Sequence, residues 1–235
     1  INDNLRQLLQ LIYEQWFYRF NFKGMAKRKL VWNDKIKRNI PEGWKIENVS
    51  NNELFSIISS GVNRFSQKRY FATADVNGDE IGKGSNVFYK TRESRANMEP
   101  CENSVWFAKM KNSNKHLFLN AEMKEFIESS ILSTGFYGLK CSFMSFEYVS
   151  SYISAPIFEV AKDKLSHGAT QQSINDEDLR NISILVPDKE TLLNYHQITK
   201  GLYSTISNNI IESRKLIVLR DFLLPLLMNG QATID

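Results

Sequence analysis

The chain has 235 residues, of which 42% are hydrophobic, 24% are charged and 12% are aromatic. This composition supports a folded core and excludes a largely disordered protein, because disordered chains are poor in aromatic residues. No apolar run approaches the roughly 20 residues of a membrane helix, and residues 1–10 lack the apolar centre of a signal peptide. We therefore expect a cytoplasmic protein with two free thiols, Cys101 and Cys141.

The first predicted element is a helix over residues 4–20. Its apolar side chains recur at the spacing of one helical face, at Leu5, Leu8, Leu9, Ile12 and Trp16. A second apolar flank follows from Tyr13, Phe17 and Phe20. A face this broad favours burial on more than one side, so the helix packs on its own domain or docks on another long helix.

Residues 23–40 form a basic connector. A cluster of lysines and arginines, among them Lys27, Arg28, Lys29, Lys35, Lys37 and Arg38, is accompanied by a single acid, Asp34. Such a segment is either a solvated linker or a contact for phosphate groups. Pro41 and Gly43 then interrupt the chain and open a new domain.

The middle of the chain is predicted to be an α+β domain with long loops. Short runs rich in branched and aromatic residues predict strands at 104–108, 116–119, 139–143, 157–160 and 182–186. The spacing of apolar residues predicts a short helix at 145–153. Glycines separate these segments into loops that are long enough to carry a binding surface.

The last predicted element is one long helix over residues 188–228. Apolar residues repeat every fourth position at Ile198, Leu202, Ile206 and Ile210. Its length is about three times that of an average helix, which is typical of a coiled-coil strand or a spacer between domains. Asn208 and Asn209 either fix the register of a helix pair or are simply exposed. The two terminal helices can lie antiparallel if the ends of the domain are close together.

The charge is unevenly distributed along the chain. The net charge is +4, and acids balance bases in residues 1–22 and in residues 188–235. The positive excess therefore lies in the middle, a pattern that favours a domain binding a polyanion between two protein-binding arms.

The sequence contains no recognisable catalytic motif. It has no Pro-Pro pair, so it lacks the motif with which DNA adenine methyltransferases hold a flipped base, and it has no Gly-Lys-Ser/Thr phosphate loop. His116, His167 and His196 lie in separate elements, which predicts no metal site. Loose acid–lysine pairs at 122–124 and 159–162 leave a magnesium-dependent nuclease as one alternative.

Several segments resemble the specificity subunits of Type I restriction-modification systems. Residues 11–20 (LIYEQWFYRF) resemble the end of that family's central conserved helix, and residues 31–44 resemble the segment that introduces a target-recognition domain. Residues 132–136 (LSTGF) and 168–174 (GATQQSI) resemble motifs within such a domain. Residues 219–231 resemble the end of the distal conserved helix, and the five segments occur in the family's order.

The resemblance implies a subunit without catalytic residues, metal or cofactor of its own. Its parts would be an amino-terminal helix and connector (1–40), one target-recognition domain that binds double-stranded DNA (41–187) and a conserved spacer helix (188–235). Two modification subunits would grip the paired helices, and each would bind S-adenosylmethionine and methylate an adenine. Motor-nuclease subunits would add restriction.

A full-length specificity subunit of this family has two recognition domains, whereas this sequence contains one and resembles the second half. It is therefore either a fragment of a longer subunit or a natural half-subunit that forms a homodimer. The recognition domain would read one half of a bipartite DNA site, and the helices would set the spacing between the halves.

Polar and basic loop residues are the candidates for reading DNA, because Arg, Lys, Asn and Gln recognise base edges and phosphates. These candidates are Arg64, Gln67, Lys68, Arg69, Tyr70, Lys90, Arg92, Arg95, Lys109, Lys111, Asn114, Lys115, Tyr137, Gln171 and Gln172. Each is otherwise a solvated surface residue. The candidates for subunit contact are the apolar helix residues Leu8, Ile12, Trp16, Ile198, Leu202, Ile206 and Ile210.

Other functions remain open beside this one. The first alternative is a free-standing dimeric DNA-binding regulator, in which the helices only dimerise. The second is the magnesium-dependent nuclease, and the third is RNA binding, although the aromatic strand motif of common RNA-binding modules is absent.

Overall fold

The structure, a computed structural model, describes residues 1–168 and 172–229. Two helices run along one side of the molecule: α1 spans Asn2–Tyr13 and α5 spans Lys189–Met228. The long terminal helix predicted from the sequence is thus confirmed to within one residue at its start. Within the described ranges, no helix combines the length and the apolar character needed to cross a membrane.

Helices α1 and α5 pack against each other in antiparallel directions. The side chain of Asn209 donates a hydrogen bond to Asn2 over 2.7 Å, while Leu9, farther along α1, packs with Tyr203 and Ile206. Later residues of α1 therefore contact earlier residues of α5. The antiparallel pairing that the sequence allows is therefore present within this chain.

The predicted helix over 4–20 changes its winding after α1. Glu14–Tyr18 forms a π-helical turn, which rotates the following aromatic side chains relative to a regular α-helix. The Phe17 ring then lies 4.5 Å from the ring of Tyr148 and 4.9 Å from that of Tyr195. This turn joins α1 to the hydrophobic core of the domain.

The domain is built mainly on two sheets of four strands each. The first sheet is antiparallel with the order β11-β10-β13-β4, where β4 is Phe55–Ile57, β10 is Ser104–Ala108, β11 is His116–Leu119 and β13 is Phe136–Cys141. Gly138 of this sheet pairs with Trp106, and an added Cβ would lie 2.5 Å from the Trp106 ring. Glycine is therefore needed for this close approach.

The second sheet has the order β8-β5-β12-β9. Its strands are β5 (Gln67–Phe71), β8 (Ser85–Phe88), β9 (Ala96–Met98) and β12 (Ser130–Ser133). β5 and β12 are parallel, whereas β8 and β9 are antiparallel to their neighbours. The end of β5, the end of β12 and the start of β9 consequently meet at one edge.

Smaller elements complete the fold. Three two-stranded pairs are formed by β1 (Leu30–Asn33) with β2 (Arg38–Pro41), β3 (Lys45–Asn48) with β14 (Ser183–Val186), and β6 (Val76–Asn77) with β7 (Glu80–Ile81). The remaining helices are α2 (Lys124–Ser129), α3 (Phe146–Ser154) and α4 (Pro156–Leu165). The predicted α+β class is confirmed, with a sheet-rich domain between two terminal helices.

One strand prediction is wrong. The run at 157–160 lies within α4, where Pro156 occupies the first turn, a position that suits proline. Ile157 and Val160 are exposed, while Phe158 and Lys162, four residues apart, are buried. A short apolar run does not distinguish a strand from a helix, and here the buried positions follow the helical period.

The other strand and helix predictions in the domain agree with the structure or shift slightly. The strands predicted at 104–108 and 116–119 match β10 and β11. The strand predicted at 139–143 begins earlier, because β13 spans Phe136–Cys141. The connector at 23–40 contains strand β1 and most of β2 in addition to loop residues.

Asp188, the cap of α5, joins the connector, the domain and the long helix. Its carboxylate accepts hydrogen bonds from the Thr191 backbone nitrogen over 3.1 Å, from the Trp44 indole over 2.7 Å and from Arg28. Burial by itself would raise the pKa of Asp188, but these hydrogen bonds outweigh it and hold the pKa well below its usual range. The start of α5 is thereby fixed to the domain.

Candidate nucleic-acid interface

Loops from both sheets meet at one edge of the domain. They are residues 72–75 after β5, 92–95 before β9, 109–115 between β10 and β11, and 134–135 between β12 and β13. We call these four segments the loop surface. They converge because β5 and β12 are parallel and end at the same edge, where β9 begins.

Hydrogen bonds connect these loops directly. The Thr134 backbone nitrogen donates to the Arg95 carbonyl over 2.9 Å, and the Lys109 nitrogen donates to the Gly135 carbonyl over 2.9 Å. The Lys115 ammonium donates to the Thr73 carbonyl over 2.7 Å. The loop surface is therefore one connected structure.

The loop surface brings together several of the predicted DNA-binding residues. Arg95 and Asn114 are exposed, and Lys109, Lys111 and Lys115 are half-buried. Exposed Gln172 joins them, because its carbonyl accepts a hydrogen bond from the Lys111 nitrogen over 2.9 Å. The arrangement combines cations suited to phosphate groups with amides suited to base edges.

Lys109 is held above an aromatic ring. Its ammonium lies 4.2 Å from the centre of the Tyr137 ring, and the Tyr137 hydroxyl donates to Asp176 over 2.6 Å. Burial lowers the pKa of Lys109, while the charge of Asp176 acts in the opposite direction. A cation that is already partly desolvated loses less hydration when it meets an anion.

The structure corrects the prediction for two tyrosines. Tyr70 and Tyr137 are each only 4% exposed, so their side chains support the fold beneath the surface. Tyr70 packs with Ala96 and Ile131 in a small core between the second sheet and its covering loops. Gln171 lies outside the described residues.

Three further candidates are engaged in contacts within the chain. Arg92 donates to the carbonyls of Tyr89 over 2.7 Å and Ala96 over 3.1 Å, so it holds its own loop. Lys68 forms an ion pair with a glutamate over 3.4 Å. Arg69 donates to the Lys83 carbonyl over 2.7 Å, on the side of the sheet near α5.

The remaining candidates lie at the far end of the second sheet. Arg64, Gln67 and Lys90 are exposed, near the start of β5 and the end of β8. Since β5 rises about 3.3 Å per residue, this region lies on the order of 13 Å along the strand from Phe71. It is distinct from the loop surface.

Several residues that hold the loop surface together are not marked as such by any pattern in the sequence. Thr73 contributes only its carbonyl, while Lys162 and Asp163 of α4 contact the 109–115 loop at Ser113 and Asn112. Gly135 lies in one of the motifs quoted above, and an added Cβ there would lie 3.2 Å from the Arg95 guanidinium. Chain topology, rather than sequence spacing, brings these groups together.

The predicted subunit-contact residues divide according to their exposure. Trp16 and Ile206 are buried within the chain, which corrects their assignment to a free interface, and Ile12, Leu202 and Ile210 are half-buried. Leu8 is 43% exposed and Ile198 is 52% exposed. The apolar face of α5 continues beyond the predicted contact residues, and at the far end of the helix Leu216, Val218, Leu219, Phe222, Leu224 and Met228 are exposed.

In residues 1–168 and 172–229, no group of three or more His, Cys, Asp or Glu side chains is placed to hold a metal ion. The acid–lysine pair at 159–162 forms a buried ion pair over 2.6 Å. Glu122 accepts a hydrogen bond from Ser204 over 2.5 Å.

Two curated proteins show sequence similarity to the chain, although no family model matches it. The MjaIX Type I restriction enzyme specificity subunit of Methanocaldococcus jannaschii is 23% identical over 259 residues, covering 100% of this chain and 54% of that protein. The HindI Type I restriction enzyme specificity subunit of Haemophilus influenzae is 31% identical over 70 residues, covering 30% of this chain and 15% of that protein.

Solved structures share the fold. A chain from a study of the assembly and conformational transition of the type I restriction-modification system has a TM-score of 0.56 at 17% identity, covering 83% of this chain and 50% of that chain. The HsdS subunit of Thermoanaerobacter tengcongensis has a TM-score of 0.53 at 16% identity, covering 82% of this chain and 49% of that chain. The chain spans about half the length of the M. jannaschii relative. The chain is therefore similar in sequence to about half of a Type I restriction enzyme specificity subunit, and it shares the fold of the solved HsdS structure.

Proposed function

We propose that the chain is a DNA-recognition subunit of a Type I restriction-modification complex and that the loop surface reads one half of a bipartite site. The main support is the convergence of loops from both sheets in a chain similar to specificity subunits. It brings the loop of Arg95 together with the 109–115 loop, which carries Lys109, Lys111, Asn114 and Lys115.

The loop surface carries one set of residues suited to general DNA affinity and another suited to sequence specificity. Lysine and arginine contacts to phosphates supply sequence-independent affinity that weakens as salt rises. Amide side chains and arginine recognise base edges in the major groove, and a good bidentate contact contributes about 1–3 kcal/mol of discrimination. Asn114, Gln172 and Arg95 are therefore our candidates for base contacts. Lys109 and Lys111 are our candidates for phosphate contacts, whereas the Lys115 ammonium already donates to the Thr73 carbonyl.

The chain itself supplies no catalytic group in this proposal. Adenine methylation belongs to modification subunits, which bind S-adenosylmethionine, and restriction belongs to motor-nuclease subunits. The α1–α5 pair holds the recognition domain at a fixed position relative to these partners. Exposed apolar residues on the helices, such as Leu8, Ile198 and Leu219, are available for subunit contact.

A selection from random duplexes tests the proposal. The full chain, alone and with a cognate modification subunit, is mixed with a pool of duplexes that have a randomised core, and bound DNA is sequenced. We expect one motif to be enriched. The Lys109→Ala variant should bind more weakly than the wild type, and Lys124→Ala serves as a matched control, because Lys124 carries the same charge on exposed α2.

The outcomes separate the proposal from its rival. Enrichment of a motif that requires the modification subunit supports the specificity role. Tight enrichment by the chain alone, unchanged by the modification subunit, would favour the free-standing dimeric regulator. Absence of any motif under both conditions would contradict sequence-specific recognition.

A further inference from the structure

Helix α4 holds the 109–115 loop in place. This loop carries four of the candidate DNA-binding residues: Lys109, Lys111, Asn114 and Lys115. The Lys162 side chain is 0% exposed, and its ammonium donates to the Ser113 carbonyl over 2.9 Å and to the Ala108 carbonyl over 3.4 Å. Glu159 pairs with this ammonium over 2.6 Å and contacts the ring nitrogen of His116, at the end of the loop, over 3.1 Å.

A second contact from α4 holds the tip of the same loop. The carboxylate of Asp163 accepts a hydrogen bond from the backbone nitrogen of Asn112 over 2.9 Å. Asn112 has a φ of 54°, a left-handed conformation that most side chains disfavour. We call Glu159, Lys162 and Asp163 the α4 clamp.

The loop is also held from its other side. The Lys111 nitrogen donates to the Gln172 carbonyl over 2.9 Å, and the Ile174 nitrogen donates to the Lys109 carbonyl over 3.1 Å. The 109–115 loop thus lies between α4 and the segment that follows α4. Its backbone shape is determined by groups that do not belong to it.

The buried ammonium of Lys162 forms bonds that an apolar side chain could not form. Taking a charge out of water is costly unless the charge is paired and hydrogen-bonded, and an apolar side chain would fill the same space without that cost. Lys162 instead forms three bonds: one to Glu159, one to the Ser113 carbonyl in the loop and one to the Ala108 carbonyl at the end of β10. Burial would raise the pKa of Glu159, but its bonds to His116 and Lys162 bring it below its usual value.

We propose that Glu159, Lys162 and Asp163 are positioning residues that determine DNA specificity without touching DNA, by fixing the 109–115 loop in the shape that reads bases. This inference rests on the function proposed above. A loop whose backbone is ordered before binding loses less conformational entropy on binding. Non-specific attraction to phosphates depends on charge more than on an exact loop shape. Loss of the clamp should therefore reduce specificity more than general affinity.

The Asp163 position offers a matched pair of variants. Both Asp163→Ala and Asp163→Asn remove the same negative charge, but only the asparagine keeps an oxygen that can accept the Asn112 hydrogen bond. Lys162→Met is a second variant that removes the buried ammonium. Two readouts are used: hydrogen exchange of the amides of 109–115, and the ratio of affinities for the selected motif and for a random duplex.

We expect Asp163→Ala to speed exchange in the loop and to lower the affinity ratio by roughly tenfold, within the range of one lost base contact. The affinity of Asp163→Ala for the random duplex should differ from that of Asp163→Asn by less than about twofold, because the two variants carry the same charge. Asp163→Asn should stay close to the wild type in both readouts. Lys162→Met should lower the ratio at least as much as Asp163→Ala.

Three results would overturn the inference. If exchange quickens in Asp163→Ala and Lys162→Met while the affinity ratio stays at the wild-type value, the loop shape does not determine specificity. If exchange is unchanged in both variants, the clamp does not fix the loop. If the wild-type chain itself selects no motif, the proposed function fails, and this inference fails with it.

Discussion

The bond network around Asp188 gives a quantitative test of how the long helix is joined to the recognition domain. Replacing Asp188 with alanine removes the helix cap, which costs about 1 kcal/mol. The change also leaves the Trp44 indole nitrogen, now 2.7 Å from the carboxylate, without an acceptor, at a cost of about 1–3 kcal/mol for a buried donor. We expect a total loss of about 2–4 kcal/mol in the free energy of unfolding.

Urea denaturation followed by tryptophan fluorescence measures this loss. With an m-value of about 3 kcal/mol/M, the midpoint should fall by about 1 M. Asp188→Asn keeps an acceptor for the cap and for Trp44 and loses only the charge facing Arg28, a partly exposed ion pair, so it should lose about 1 kcal/mol or less. Asp34→Ala is the control, because Asp34 also accepts from an indole, that of Trp32, but its side chain is 83% exposed; we expect a change within about 0.5 kcal/mol.

The effect of Asp188 also has a defined pH dependence. Its pKa in the folded chain lies below the value of about 3.9 expected for an unfolded aspartate. The stabilisation is therefore complete above about pH 4 and is lost as the pH falls toward the folded pKa. The difference between wild type and Asp188→Ala should shrink below about pH 4. A difference under about 0.5 kcal/mol at pH 7, or one that does not shrink in acid, would refute this reasoning.

Three further predictions concern the interface, the sheet and the helix pair. Lys109→Ala should reduce the slope of log affinity for DNA against log salt by about 0.9 if Lys109 contacts one phosphate, and an equal change in Lys124→Ala would contradict this. Gly138→Ala should lower stability by about 1–3 kcal/mol in thermal unfolding, because the new Cβ would lie 2.5 Å from an indole ring; an unchanged melting temperature would show that the sheet can shift. Ile206→Glu should cost at least about 2 kcal/mol in urea unfolding, because it buries a carboxylate between α1 and α5, whereas exposed Ile198→Glu should cost little; similar losses in both would contradict the packing described here.

Elements with a local signal could be predicted from the sequence. The 40 residues of α5 carry a long apolar repeat, and β10 and β11 are compact runs of branched and aromatic residues. α4 could not be predicted, because its apolar run at 157–160 is too short to separate a strand from a helix. The π-helical turn at Glu14–Tyr18 depends on packing against Tyr148 and Tyr195, which are distant in sequence.

The residue types of the candidate site could be predicted, but whether each side chain is free to contact DNA could not. Arg92 and Arg95 are only three positions apart and look equivalent in the sequence. In the structure Arg92 is bonded to the carbonyls of Tyr89 and Ala96, whereas Arg95 is exposed on the loop surface. Backbone carbonyls carry no signature in a sequence, so the partners that engage a guanidinium emerge only from the fold.

The most direct test of the central proposal is a genome methylation map of a host that carries a cognate modification subunit, with and without this chain. We expect methylated adenine in a new split motif that appears only when the chain is present, and we expect Lys109→Ala to reduce the methylated fraction at that motif. If both proteins are present and folded but no new methylated motif appears, the chain does not direct methylation, and the specificity role is contradicted.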